Sequence, residues 1–154
     1  MPGRARVAVG PVVILGDAIA AELPGLRAEA EARMRDTCAV RRVTGTATDA
    51  AGNVTPTLSE PVYGPGLAPH AGKCRVQATA AQEQTASLAE HTMTLQRYTV
   101  HVPVAAFEPA VGDVITIVDA VDDEHLAGRT FRVVALLHKS QATAYRLGVQ
   151  EVTR

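Results

Sequence analysis

Apolar and polar residues alternate most clearly between Tyr98 and Asp119, YTVHVPVAAFEPAVGDVITIVD. Tyr98, Val100, Val102 and Val104 alternate with Thr99, His101 and Pro103, and a period of two puts the apolar set on one face of a β-strand. Glu108-Pro109, a short loop and Gly112-Asp113 come next, followed by the β-branched run Val114, Ile115, Thr116, Ile117 and Val118. Strand, loop, Gly-Asp, strand predicts a hairpin-like unit around which the remaining strands pack.

Upstream the period changes. Ile19, Leu23, Leu26, Ala30 and Met34 fall on one helical stripe, and Glu22, Arg27, Glu29, Glu31, Arg33 and Arg35 fill the rest of the surface. Asp17 is a fitting N-cap, but Pro24 does not suit a helix interior. The pattern therefore predicts a break at Pro24 and a firm helix from there to about Arg35, covering a sheet or docking elsewhere.

Strands begin at Thr37, with Cys38 and Val40 on one face and Arg41 on the other. Asp49 to Asn53 (DAAGN) reads as a turn. Val54 to Tyr63 reads as a returning strand, which Pro56 and Pro61 confine to an edge or interrupt. GPGLAPHAG is a loop, and Lys73 to Thr79 a further strand with Cys74, Val76 and Ala78 on one side. Residues 80–93, AAQEQTASLAEHTM, lack a strand pattern and offer few core anchors; the segment is a surface helix or a functional loop. After the acidic loop AVDDEHLAG, Phe131, Val133, Ala135 and Leu137 alternate in one strand and Tyr145, Leu147 and Val149 in the next. The expected fold is mainly β, a small β-barrel or sandwich of about six or seven strands with an N-terminal α-helix and a long inter-strand loop. It divides into an arm and helix at residues 1–36 and a β-domain at residues 37–154.

Composition excludes more than it assigns. A net charge of −1 supplies no global field toward nucleic acid or membrane. Arg4, Arg6 and the apolar stretch from Val7 sketch a signal peptide, but Gly10, Pro11, Gly16 and Asp17 interrupt it, so no cleavage is expected. No apolar run approaches the ~20 residues of a membrane span. Cys38 and Cys74 form no CxxC motif and read as buried thiols, bridged only if their strands are neighbours. His70, His91, His101, His125 and His138 are scattered without metal-ligand spacing, and no nucleotide loop or nucleophile elbow is present. Neither a metal, a cofactor nor catalysis is expected. Charge placement is more informative. From Tyr98 to Gly128 there is no Lys or Arg, while Glu108, Asp113, Asp119, Asp122, Asp123 and Glu124 are all acidic. Such a surface repels phosphates; DNA would slide past it, or a partner's basic face would meet it.

Three passages carry a resemblance: CAVRRVTGTATDAAGNVTPTLSEPVYG, GKCRVQATAAQEQ, and AVGDVITI with LAGRTFRVVAL and AYRLGVQEV. Over roughly Thr37 to Val152 the order of elements resembles the head–tail joining proteins of long-tailed bacteriophages, the head-closure or stopper family, in the form found in phages of actinobacteria. The resemblance implies a small β-barrel assembled as a homo-oligomeric ring, hexameric or dodecameric, in the neck of the virion. Its partners would be the portal adaptor, the tail terminator or tail tube protein, and packaged double-stranded DNA passing non-specifically through the channel. The family's channel loop corresponds to residues 79–93, which would place Gln82, Glu83, Gln84, Glu90 and His91 at the lumen or a neighbouring subunit. A tail terminator, an OB-like nucleic-acid-binding module and a small hydrolase are the alternatives. The second lacks stacking aromatics beyond Tyr63, Tyr98, Phe107, Phe131 and Tyr145, and the third lacks clustered polar groups.

Overall fold

Six strands close into an antiparallel barrel in the computed structural model, which describes residues 10, 12, 14–79 and 97–152. The strands are β1 (Asp36–Arg41), β4 (Lys73–Ala78), β5 (Arg97–Val102), β8 (Tyr145–Glu151), β7 (Thr130–Leu136) and β6 (Val114–Asp119), in that order around the wall. A single helix α1 (Leu15–Ala32) precedes them, and β2 (Val43–Thr48) and β3 (Val54–Leu58) form a separate two-stranded ribbon.

The period of two fills the barrel. Cys38, Val40, Cys74, Val100, Val102, Ile115, Ile117, Phe131, Val133, Leu147 and Val149 all point inward and are fully or almost fully buried. The expected hairpin of Tyr98–Asp119 does not form. β5 pairs with β4 and β8, whereas β6 pairs with β1 and β7. Residues 103–113 are too long for a tight turn and cover an end of the barrel, where Phe107 stacks on Tyr63 at 5.1 Å. In β7 the alternation also slips. A register shift between Val133 and Ala135 changes the phase, so Leu137, expected inside, is half exposed.

Closure between β1 and β4 is short, with only Asp36↔Cys74 and Thr37↔Lys73 in register. The loop before β4 completes the seam. Val62 N donates to Val40 O at 2.8 Å and Val40 N to Tyr63 O at 2.7 Å. Cys38 N donates to Gly72 O at 2.8 Å, and the Tyr63 hydroxyl donates to Lys73 O at 2.7 Å.

The helix departs from expectation at both ends. It starts at Leu15, with Ile14 rather than Asp17 as N-cap, and runs through Pro24 without a break to Ala32. Pro24 removes one N–H from the ladder, and because no residue of α1 is buried, the freed carbonyl faces solvent rather than a core. Met34, just past the helix, is the stripe's one buried residue. The ribbon turn follows the sequence closely: Asp49 Oδ1 accepts from Ala51 N and Asn53 N, both at 2.9 Å, and Gly52 has φ +86°. Every residue of β2 and β3 is exposed.

Candidate functional site

The six carboxylates expected on one acidic surface separate into two groups. Glu108 and Asp113 belong to the connection entering β6, and Asp119, Asp122, Asp123 and Glu124 follow from its far end. Asp113 is not a surface group. It is 3% exposed, its Oδ2 accepts from Ala110 N at 2.9 Å, and Arg42 Nε lies 3.7 Å from its Oδ1. It shapes the turn before β6, and a buried carboxylate persists there because it is both hydrogen-bonded and paired. Asp122 is engaged by Arg35 at 2.7 Å, and Asp123 accepts from His125 N at 3.0 Å to cap the short 3-10 turn Glu124–Leu126. Glu108, Asp119 and Glu124 have no side-chain partner among the described residues, so the acidic character is spread over two ends of the barrel.

Strands β4 and β5 pair from Arg75↔His101 to Ala78↔Tyr98, and Thr79 N donates to Arg97 O at 2.8 Å. Residues 80–96 join these strands. The channel-loop residues Gln82, Glu83, Gln84, Glu90 and His91 all lie outside the described residues.

The outer wall of β4, β5 and β8 has a distinct chemistry. Arg75, His101 and Arg146 stand side by side in register across the three strands. Gln77, Thr99 and Gly148 form the next row, and Arg97 and Gln150 a further one, extended by Arg132 on β7. The outward positions of β4, β5 and β8 carry no carboxylate. His101, between the inward Val100 and Val102, is partly buried. Burial and the neighbouring Arg146 and Arg75 guanidinium groups lower its pKa to about 4, so its imidazole is neutral at pH 7. Sequence reading placed His101 on a polar strand face but missed the arginines. They come from separate strands, and only the register brings them to the histidine.

Among the described residues, open clefts lie on the flanks of the barrel. One, about 440 Å³, lies among Arg33, Arg35, Arg75, Tyr98, Asp122 and Arg129; another, about 640 Å³, lies among Phe107, Glu108, Leu136, His138 and Tyr145. Arg35 is paired with Asp122, and Arg129 contacts Glu151 and the Tyr98 hydroxyl, each at 3.4 Å. Among the described residues no three of His, Cys, Asp and Glu gather to hold a metal ion. Cys38 and Cys74 are free thiols buried in the wall of the barrel. The Cys38 thiol and burial raise the pKa of Cys74, which makes this thiol a core group rather than a nucleophile.

Outside the barrel, α1 is tethered by polar contacts. Arg27 Nε donates to Ala142 O at 3.0 Å, Glu31 meets His70 at 3.0 Å and Lys73 at 3.5 Å, and Arg35 meets Asp122. The His70 contact leads the effects that lower the Glu31 pKa. Leu15, Ile19 and Leu26 remain exposed on the helix, as do Val43, Val54 and Leu58 on the ribbon. Among the described residues no helix is long and apolar enough to cross a membrane. No curated protein matches the chain. The model of a family of unknown function (DUF6093) matches residues 26–150, from the second half of α1 into β8, and the chain belongs to that family.

Proposed function

We propose that this chain is a structural, non-catalytic subunit that assembles with copies of itself into a ring, as the head-to-tail connector or stopper of a long-tailed phage. The supporting observation is the contrast between a barrel with a complete core and two elements that the other described residues leave largely uncovered. A two-stranded ribbon is marginal in water on its own. A helix of this length likewise draws most of its stability from an apolar face packed on something else. In α1 no residue is buried, and in the ribbon every residue is exposed. Both are surfaces that a neighbouring subunit would cover. A ring built from one chain uses two different faces of each copy, and the ribbon and helix supply candidates for them. In this reading the ring sits in the virion neck between the portal adaptor and the tail terminator or tail tube, and helps retain the duplex DNA that it encloses.

The test is the mass of the purified chain by light scattering, alone and with its adaptor. A hexamer or dodecamer, formed alone or on the adaptor, is the expected result. A monomer at every concentration, indifferent to the adaptor, overturns the reading.

A further inference from the structure

We infer that Arg75, His101 and Arg146 form an oxyanion site on the outer wall of the barrel, and that its ligand is a phosphate group of a duplex nucleic-acid backbone. The site belongs to one chain and does not depend on ring formation. Adjacent strands are about 4.8 Å apart, so the two arginines start roughly 10 Å from each other, on either side of the imidazole. Both are exposed, and neither guanidinium group has a hydrogen-bonded or ion-paired partner among the described residues. The charged groups facing His101 from the adjoining strands are Arg75 on β4 and Arg146 on β8, with no carboxylate on the outward positions of β4, β5 or β8. Burial first, and then the Arg146 and Arg75 guanidinium groups, lower the His101 pKa, which agrees with both arginines standing close to the ring.

The donor set favours phosphate over carboxylate. A carboxylate presents two oxygens in one plane and is satisfied by one guanidinium fork. Two forks approaching from opposite sides, with an imidazole N–H between them, match the several oxygens of a tetrahedral phosphate. Arg132 lies beside Gln150, four residues along β8 from Arg146. That is about 13 Å at strand spacing, and it provides for a second phosphate. No Phe, Tyr or Trp stands on the outward positions of β4, β5 or β8, and the half-buried His101 is the one ring there, which favours a duplex backbone over a stacked single strand.

The test is an NMR titration of the His101 imidazole in the full chain, first with inorganic phosphate and then with a short DNA duplex. Both probes are expected to raise the His101 pKa by about one unit or more, because each adds negative charge beside it. Duplex affinity should fall with salt at a log–log slope of about −2 to −3, the release expected for two or three phosphates. Removing an arginine raises the His101 pKa by itself, so Arg75→Gln and Arg146→Gln are read by duplex affinity, expected to drop about tenfold each. A His101 resonance that neither probe moves overturns the site. Duplex binding that ignores both substitutions also overturns it. A response to phosphate but not duplex overturns the nucleic-acid assignment, as does a response to protein concentration alone, which would assign the wall to carboxylates of a second copy.

Discussion

Gly72 sits where the short β1–β4 seam is completed, and replacing it with alanine should show how much the barrel depends on that seam. Its φ is +77°, a conformation that costs an L side chain about 1–2 kcal/mol. An added Cβ would also lie 2.7 Å from Cys38 O, 2.9 Å from Gly64 C and 2.9 Å from Pro65 N. All three are backbone atoms, so no side chain can rotate away. The chain must move, and the bond from Cys38 N to Gly72 O lies in its path. Losing a buried backbone hydrogen bond adds about 1–3 kcal/mol. Together these give a loss of about 2–5 kcal/mol, centred about 2 kcal/mol above the conformational part alone. The control is Gly128→Ala. Gly128 has nearly the same φ, +80°, but no atom within 4 Å of the added Cβ. Only the conformational part applies there, about 1–2 kcal/mol. For a chain of this size each kcal/mol shifts Tm by roughly 2–4 °C. Thermal unfolding followed by circular dichroism should therefore place Gly72→Ala about 4–8 °C below Gly128→Ala. The two variants melting within ~2 °C of each other would refute the reasoning, since the close backbone contacts would then carry no cost.

Two further outcomes are expected. His101 has a folded pKa of about 4 against an ordinary 6.5, so between those values the unfolded chain binds a proton that the folded chain rejects. That contribution is at its full value above pH 6.5 and is lost as pH falls toward 4; His101→Gln should flatten this part of the stability–pH profile, and an unchanged profile in urea titrations would count against it. Phe131 is fully buried, with its ring 5.2 Å from that of Tyr98, so Phe131→Ala should cost about 3–5 kcal/mol in urea unfolding, and a loss below ~1.5 kcal/mol would show that the core does not close around it.

What the sequence disclosed follows from the range of each interaction. Alternation depends on a residue and its near neighbours, so the inward sets Cys38 and Val40, Val100 and Val102, Ile115 and Ile117, and Leu147 and Val149 are all legible. The Asp49–Asn53 turn is legible for the same reason, as its hydrogen bonds close within five residues. Strand pairing is not local. β5 and β6 are consecutive and each has its apolar face, but their partners are set by closure of the whole barrel. The slip in β7 is invisible because Ala135 and Leu137 continue a perfect alternation that the fold then shifts. Pro24 misled for a physical reason: its penalty is a fixed local cost, and the chain tolerates it in a helix that has no buried face to distort. Asp113 looked like any surface acid until Ala110 and Arg42 were placed beside it. The row of Arg75, His101 and Arg146 exists only as a register between three strands, so no spacing along the chain could have announced it.

The same contrast separates the parts that hold the fold from those open to neighbours. Phe131, Ile115, Ile117 and Leu147 lie inside the barrel and carry the burial that stabilises it. The helix is attached through Arg27, Glu31 and Arg35, and the two exposed ion pairs among these contacts are each worth about 0–1 kcal/mol. The ribbon leaves the barrel one residue after β1; at its base Ser59 N donates to Arg42 O at 2.8 Å and Arg42 N to Ser59 Oγ at 3.0 Å, and the Arg42 guanidinium holds it to the barrel at Glu108 O (2.6 Å) and Asp113 (3.7 Å). Re-docking either element on a neighbour would thus break few interactions and would leave the core intact. A chain that kept these elements only to stabilise itself would be expected to bury them, as it does Met34 where the helix meets β1. Leu15, Ile19 and Leu26 stay exposed, together with Val43 and Val54, and in the proposed ring a neighbouring copy would cover them.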